Sequence, residues 1–217
     1  MHEDDSARAM KHILSNPLPT DHTQMIELTD GGRLRYVPNF IESKAAVLIY
    51  QLLRDHVPWE QMRFRGHDEP RLTYWMADFP YRYSGVTRKP APRSLLVDTL
   101  IGLVEKFTFG DDTSDHFDGV LLNYYRSGLD KIGLHSDAEP DLKPRAPIAS
   151  LSFGGSRRFV LRHNHSKKKV EVTLEHGSLL LMEGTTQEYW KHEILAEPRL
   201  TFGRINLTMR CLAEVAR

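Results

Sequence analysis

From Gly119 onward the chain breaks into short runs of apolar and aromatic residues separated by turn residues, and this spacing constrains the fold more than any other feature. The runs Val120–Tyr125, Ile132–His135, Ile148–Phe153, Arg158–Arg162, Val170–Leu174, Ser178–Met182, Trp190–Ile194 and Arg204–Leu212 read as strands. So many closely spaced strands predict a sandwich or jelly-roll barrel. Two helices are expected before it, one capped by Ser43 and running to about Asp55, the other capped by Ser94 and running to about Phe107. Leu96, Leu100, Leu103 and Phe107 repeat at helical spacing and read as a packing stripe. The expected class is α+β, with N-terminal helices on one outer face of the barrel. Met25–Leu28 and Leu34–Val37 flank a turn at Asp30-Gly31-Gly32, while Arg63 to Pro92 reads as short strands and loops with exposed aromatics. Residues 1–24 read as a loose tail, with a short helix around Ala7 to Leu14, and 25–217 as a single domain.

Composition excludes several classes. The 217 residues carry 29 basic and 29 acidic side chains, so any contact with nucleic acid must come from a local patch. No apolar run reaches the ~20 residues of a membrane span. Met1–Ser6 is acidic, with no secretory apolar stretch, and Cys211 is the single cysteine. These features predict an intracellular protein, cytoplasmic or nuclear and not secreted, without a disulfide framework.

The last strand alternates strictly. Side chains at i and i+2 share a face, so Arg204, Asn206, Thr208 and Arg210 line one side and Ile205, Leu207 and Met209 the other. A half-exposed strand would show the same pattern. If the polar side faces inward, the two guanidiniums need anionic partners, and a small dicarboxylate suits them. Asn123 and Tyr125 share one face of an earlier strand and suit the same ligand. His135-Ser136-Asp137 places an imidazole and a carboxylate two residues apart, and His192 lies 57 positions later. Two histidines and one carboxylate form a facial triad for Fe(II) that leaves positions open for a chelating cosubstrate and oxygen.

Together these residues resemble the AlkB family of Fe(II)- and 2-oxoglutarate-dependent dioxygenases. The resemblance rests on Asn123-x-Tyr125, His135-x-Asp137, Pro147 through Gly154, His176-Gly177-Ser178-Leu179-Leu180, His192 and Arg204-x-Asn206-x-Thr208-x-Arg210. It covers roughly residues 60 to 212. Glu69-Pro70-Arg71-Leu72-Thr73, the Tyr81–Gly85 segment and Glu183-Gly184-x-Thr186-Gln187 are most similar to the branch that repairs alkylated bases. The resemblance implies a double-stranded β-helix, with 118–213 as the jelly-roll core and 25–117 as an N-terminal extension carrying a substrate-binding lid. It implies that His135, Asp137 and His192 bind Fe(II) and carry catalysis. Arg204 would pair with the distal carboxylate of 2-oxoglutarate and Arg210 with the nearer one, with Asn123, Tyr125 and Asn206 completing the site.

The implied reaction uses 2-oxoglutarate and O2, and removes methyl groups from bases such as 1-methyladenine and 3-methylcytosine as formaldehyde. Such bases are cationic, which suits the acid Glu139 and aromatic rings. Tyr81 and Tyr83 fall where relatives contact a flipped base, and Arg71, Trp75 and Gln187 are further candidates for the substrate mouth. Arg157, Arg158, Arg162, His163 and Lys167–Lys169 form a candidate phosphate-contacting hairpin, with Arg82 and Arg88 near the tyrosine pair. Phe64 is a poor match to the apolar finger with which some relatives open duplexes. The implied partner is alkylated DNA, with RNA second, single strands favoured, no membrane, and a monomeric enzyme. Two other functions fit parts of the pattern: an oxygenase of the same chemistry acting on a protein or small molecule, and a non-enzymatic jelly-roll binding module.

Overall fold

The computed structural model describes residues 11, 22–64, 66–83, 86–111 and 115–213. Apart from Lys11, the tail helix expected around residues 7–14 lies outside them. Among the described residues, eight strands follow residue 118: β7 (Gly119–Tyr125), β8 (Ile132–His135), β9 (Ile148–Gly154), β10 (Arg157–His163), β11 (Lys169–Leu174), β12 (Leu179–Gly184), β13 (Trp190–Ile194) and β14 (Arg204–Arg210). They divide between two antiparallel sheets. Strands β12, β9, β14 and β7 are neighbours in one, and β11, β10, β13 and β8 make the other. The chain changes sheet between β7 and β8, β8 and β9, β9 and β10, β11 and β12, β12 and β13, and β13 and β14. This alternation is the double-stranded β-helix.

The N-terminal residues widen the first sheet at both edges. Strands β1 (Gln24–Glu27) and β2 (Gly32–Val37) extend it beyond β12, and β3 (Glu60–Phe64) and β4 (His67–Ala77) beyond β7. A separate hairpin, β5 (Tyr81–Tyr83) with β6 (Val86–Arg88), follows β4. The stretch from Arg63 to Pro92 therefore differs from its expectation of short strands and exposed aromatics. It contains one 11-residue strand, β4, paired with β7 from Leu72↔Tyr124 to Ala77↔Gly119. Trp75 and Tyr81 are buried and stacked, ring centroids 4.6 Å apart. Gly119 makes room for Trp75: a Cβ there would stand 2.4 Å from its ring.

Helix α1 (Ser43–His56) and helix α2 (Leu95–Phe109) cover the outer face of the wide sheet. Ser94 caps α2 as expected, its hydroxyl accepting from the Val97 amide at 3.3 Å. At α1 the cap is Glu42, whose carboxylate accepts from Ala45 N, and Ser43 is the first helical residue. Ile49, Leu53, Val97 and Leu100 pack against Leu122, Leu151, Ile205, Leu207 and Met209. The apolar half of β14 thus faces the helices, which turns Arg204, Asn206, Thr208 and Arg210 into the space between the sheets. No described helix is long and apolar enough to cross a membrane. A third helix, α3 (Thr186–Tyr189), is a single turn between β12 and β13.

Candidate metal centre and dicarboxylate cavity

The space between the sheets is a cavity whose lining includes Arg71, Asn123, Tyr125, His135, Asp137, Ser150, His192, Arg204, Asn206, Thr208 and Arg210. Every residue assigned to the metal and to 2-oxoglutarate from the sequence lines it. The alternation of β14 and of β7 thus has its inward-facing form.

His135 ends β8 and pairs in register with His192 on the adjacent β13. Their rings lie 4.4 Å apart, centroid to centroid. Asp137 follows β8 by two residues, and its amide donates to the Gln187 side-chain oxygen at 2.9 Å, which pins the turn. One ligating atom from each of the three residues falls within 4.8 Å of the other two. His192 Nε2 and Asp137 Oδ2 are 3.8 Å apart. His135 Nδ1 lies 2.8 Å from the Gly133 carbonyl, an arrangement that places its proton on Nδ1 and leaves Nε2 as the ligating nitrogen.

The protonation states suit a divalent cation. Burial holds the His192 imidazole down at about 3, helped by the neighbouring His135. Burial lowers His135 as well. Burial works to raise the Asp137 carboxyl, but the Arg210 guanidinium at 2.8 Å, with His192 and His135, holds it well below the usual carboxylate range. Two neutral imidazoles and one carboxylate are the donor set that a divalent first-row metal takes. The residues present therefore fit Fe(II), held by His135, Asp137 and His192.

The opposite end of the cavity is cationic. Arg204 is 2% exposed, and Nη2 donates to Ser152 Oγ at 2.9 Å. Its guanidinium stands over the Tyr125 ring, 5.3 Å from the centroid. Burial pushes Arg204 down to about 10. Among the described residues, its Nε and the Nε and Nη1 of Arg210 are buried donors with no hydrogen-bond partner. A small dianion supplies what these donors lack. Asn206 donates to Ser150 Oγ at 2.7 Å, and Thr208 donates to Asn206 Oδ1 at 2.7 Å, so the amide orientation is fixed. Ser150, which lines the cavity, and Ser152, which accepts from Arg204, are candidate residues that the sequence reading misses. Their alternation with Leu151 and Phe153 on β9 carries the same period-two signal that exposes Arg204 and Asn206.

The candidates for base recognition are placed unevenly. Glu139 lines a second cavity next to Asp137 and Arg210, and burial, then Asp137, raises its carboxyl. Tyr81 is fully buried, with its ring against Trp75 and 5.3 Å from the Arg210 guanidinium, and its hydroxyl interacts with Glu139. Trp75 backs Tyr81 and donates to the Phe79 carbonyl, and it does not line the cavity. Arg71 does line it, but is buried and donates to Asn123 Oδ1 at 2.9 Å, so it orients that amide. Gln187 braces Asp137. The side chains of Tyr83, Phe64 and Arg82 lie outside those described.

The hairpin of β10 and β11 corrects the phosphate-contact expectation at Arg157 and His163. Arg157 is 1% exposed and donates to the carbonyls of Ser127, Asp130 and Leu195. His163 is buried between Ser166 and Asp30. Arg158 pairs with Glu197 and Arg162 with Glu193, each at 3.0 Å. Arg88 is buried too and donates to Thr73. A run of basic residues carries no trace of the acids that neighbouring strands bring opposite it.

Comparison with known proteins agrees with this geometry. The pattern of the 2OG-Fe(II) oxygenase superfamily matches residues 33–210. "Alpha-ketoglutarate-dependent dioxygenase alkB homolog 3" of Mus musculus is 37% identical over 196 residues, covering 84% of this chain and 67% of that protein. "DNA oxidative demethylase ALKBH2" of Homo sapiens is 38% identical over 156 residues, covering 67% of this chain and 58% of that protein. The chain thus spans about two thirds or less of the length of these relatives. The solved structure of OsALKBH1 superposes with a TM-score of 0.57 over 85% of this chain and all of that one, at 21% identity, which supports the fold. A His–Asp–His cluster in which Asp137 and His192 are buried, a cationic end-wall and these likenesses agree: the chain belongs to the AlkB family of Fe(II)- and 2-oxoglutarate-dependent oxygenases.

Proposed function

We propose that this chain removes alkyl groups oxidatively from N-alkylated nucleobases, 1-methyladenine and 3-methylcytosine foremost, in DNA and secondarily in RNA. The observation that carries the reading is Glu139. It sits beside the metal ligand Asp137, at the wall of a second cavity, and interacts with Tyr81. Methylation at these ring nitrogens makes the base cationic. A carboxylate next to the metal ligands favours that charge, and an uncharged substrate would gain nothing from it.

The named relatives support the same substrate class, since one is called a DNA oxidative demethylase. When bound, Fe(II) supplies oxidation by O2 in which 2-oxoglutarate becomes succinate and carbon dioxide and the substrate's N-methyl group leaves as formaldehyde. Arg204 and Ser152 would hold the distal carboxylate, and Arg210, Asn206 and Asn123 the end nearer the metal. Arg210 has two tasks, because it also pairs with Asp137. Single strands are the favoured substrate: a base must leave its stack to reach so enclosed a site, and an unpaired one does so at least cost. The enzyme acts as a monomer in the cytoplasm or nucleus.

The test is a panel of methylated single- and double-stranded DNA and RNA with Fe(II), 2-oxoglutarate and O2, read by mass spectrometry. The expected result is that each lesion loses the mass of one methylene, with matching formaldehyde and succinate. Uncoupled succinate formation with no lesion removed would move the substrate to a protein or small molecule. No metal-dependent 2-oxoglutarate binding at all would leave only a binding module.

A further inference from the structure

The most deeply buried arginine beside Arg204 has no part in the chemistry described so far. Arg157 opens β10, and its guanidinium stands over the Tyr125 ring at 5.5 Å from the centroid. Arg204 stands over the same ring at 5.3 Å. Burying a guanidinium is costly unless its donors are met. Here three backbone carbonyls accept from Nη1 and Nη2. Ser127 and Asp130 lie in the turn from β7 to β8, and Leu195 directly follows β13. Glu197 approaches Nε at 3.4 Å. The fork therefore ties three segments together around one aromatic ring, and the planar shape that does so belongs to arginine and not to lysine.

We propose that Arg157 is a positioning residue for the dicarboxylate site. It fixes the Tyr125 ring and, through it, the guanidinium of Arg204. Two effects combine. The ring cannot swing into the end of the cavity while Arg157 holds the turn behind it. The Arg157 charge also adds to the positive potential that a carboxylate meets beside Arg204. The proposal rests on the reading of Arg204 and Tyr125 as the seat of the distal carboxylate.

The experiment titrates 2-oxoglutarate into the Mn(II)-loaded full chain by calorimetry, with Mn(II) affinity and urea midpoint measured alongside. R157M is expected to weaken 2-oxoglutarate binding roughly tenfold, the scale of removing a desolvated cation–π interaction. Mn(II) affinity should stay at its wild-type value. R157K, which keeps the charge without the fork, should recover part of the loss. The ring effect passes through Tyr125 and the charge effect does not, so R157M should cost less in a Y125L background than in the wild-type chain. A lowered urea midpoint with wild-type 2-oxoglutarate affinity in R157M and R157K makes the role merely structural and overturns the proposal. So do losses that add in full in the double variant. Should R157M fail to fold, R157K and its combination with Y125L decide alone. The control is R204M: wild-type affinity there overturns the assignment of the cavity itself, whereas loss in R204M with none in the Arg157 variants overturns only the role of Arg157.

Discussion

At the scale of single residues the site is governed by what burial does to charge. His192 stays neutral in the fold to about pH 3, first because it is buried and next because His135 adjoins it, while in the unfolded chain it titrates near 6.5. Between those values the unfolded chain binds the extra proton, so acid favours unfolding. Above 6.5 the group contributes no pH dependence. Asp137, held low in the fold, adds to acid lability in the same direction at lower pH. The metal-free chain should therefore lose about 2 kcal/mol from His192 alone on going from pH ~7 to ~5. The check is the urea midpoint across that range, against H192Q. The drop should shrink in the variant, and an equal drop in both would show that His192 is not neutral in the fold. Arg204 obeys the same physics with a different consequence. R204M should weaken 2-oxoglutarate by about 2–5 kcal/mol, since the dianion loses a desolvated partner. Succinate release at varied cosubstrate should then show the loss mainly in KM, and an unchanged KM contradicts the assignment. H135A should abolish turnover and lower metal affinity, measured by equilibrium dialysis.

At the scale of elements, legibility follows the backbone's own period. A strand presents alternate residues to opposite faces whatever lies around it, so β14 and β7 can be read directly, and Arg204, Asn206, Arg210, Asn123 and Tyr125 with them. Helix α2 is equally plain, because Ser94 and the apolar stripe are local signals. The metal cluster needs more. Nothing local joins His192 to His135; the register of β13 on β8 does, and only the resemblance anticipates it. Trp75 and Tyr81 are illegible for the opposite reason. Tyr, Arg and Pro in close succession suit an exposed loop; the room that Gly119 leaves across the sheet admits the Trp75 ring, and Tyr81 stacks on it. Arg157 looks like part of a basic run because the carbonyls that bury it come from remote segments. The turn between β7 and β8 makes this dependence testable. A Cβ on Gly128 would stand 1.9 Å from the Glu197 carbonyl oxygen, so backbone must move. G128A should cost about 1–3 kcal/mol by overpacking and should weaken 2-oxoglutarate binding as well, because Ser127 and Asp130 hold Arg157. Thermal denaturation and cosubstrate titration of one sample read both, and a stability loss without a binding loss would uncouple the turn from the cavity.

At the scale of the whole molecule, charge decides how a polyanion can approach. The chain carries equal numbers of acids and bases, so attraction must be local. The outer face of the narrow sheet looks basic in sequence but is a mixed lattice. Arg158, Arg162, Lys169 and Lys191 share that face with Glu171 and Glu193, as the registers of β10 with β11 and β13 require. Exposed ion pairs are individually weak, worth about 0–1 kcal/mol, so a phosphate could displace one. It would then meet the freed carboxylate, and the gain would largely cancel. Nucleic acid should accordingly avoid this face. Neutralising it with R158Q and R162Q together should leave the KM for a methylated oligonucleotide within about twofold and its salt dependence unaltered. Were these arginines on phosphates, removing each one would lower the logarithmic salt slope by about 0.7 on a single strand. Steady-state kinetics over a salt series decides the matter. A slope that falls by one such step, with a raised KM, would put the phosphate backbone on the narrow sheet after all. It would then have to reach the metal past the β8 edge, where His135 is only half buried and Leu134 beside it is exposed.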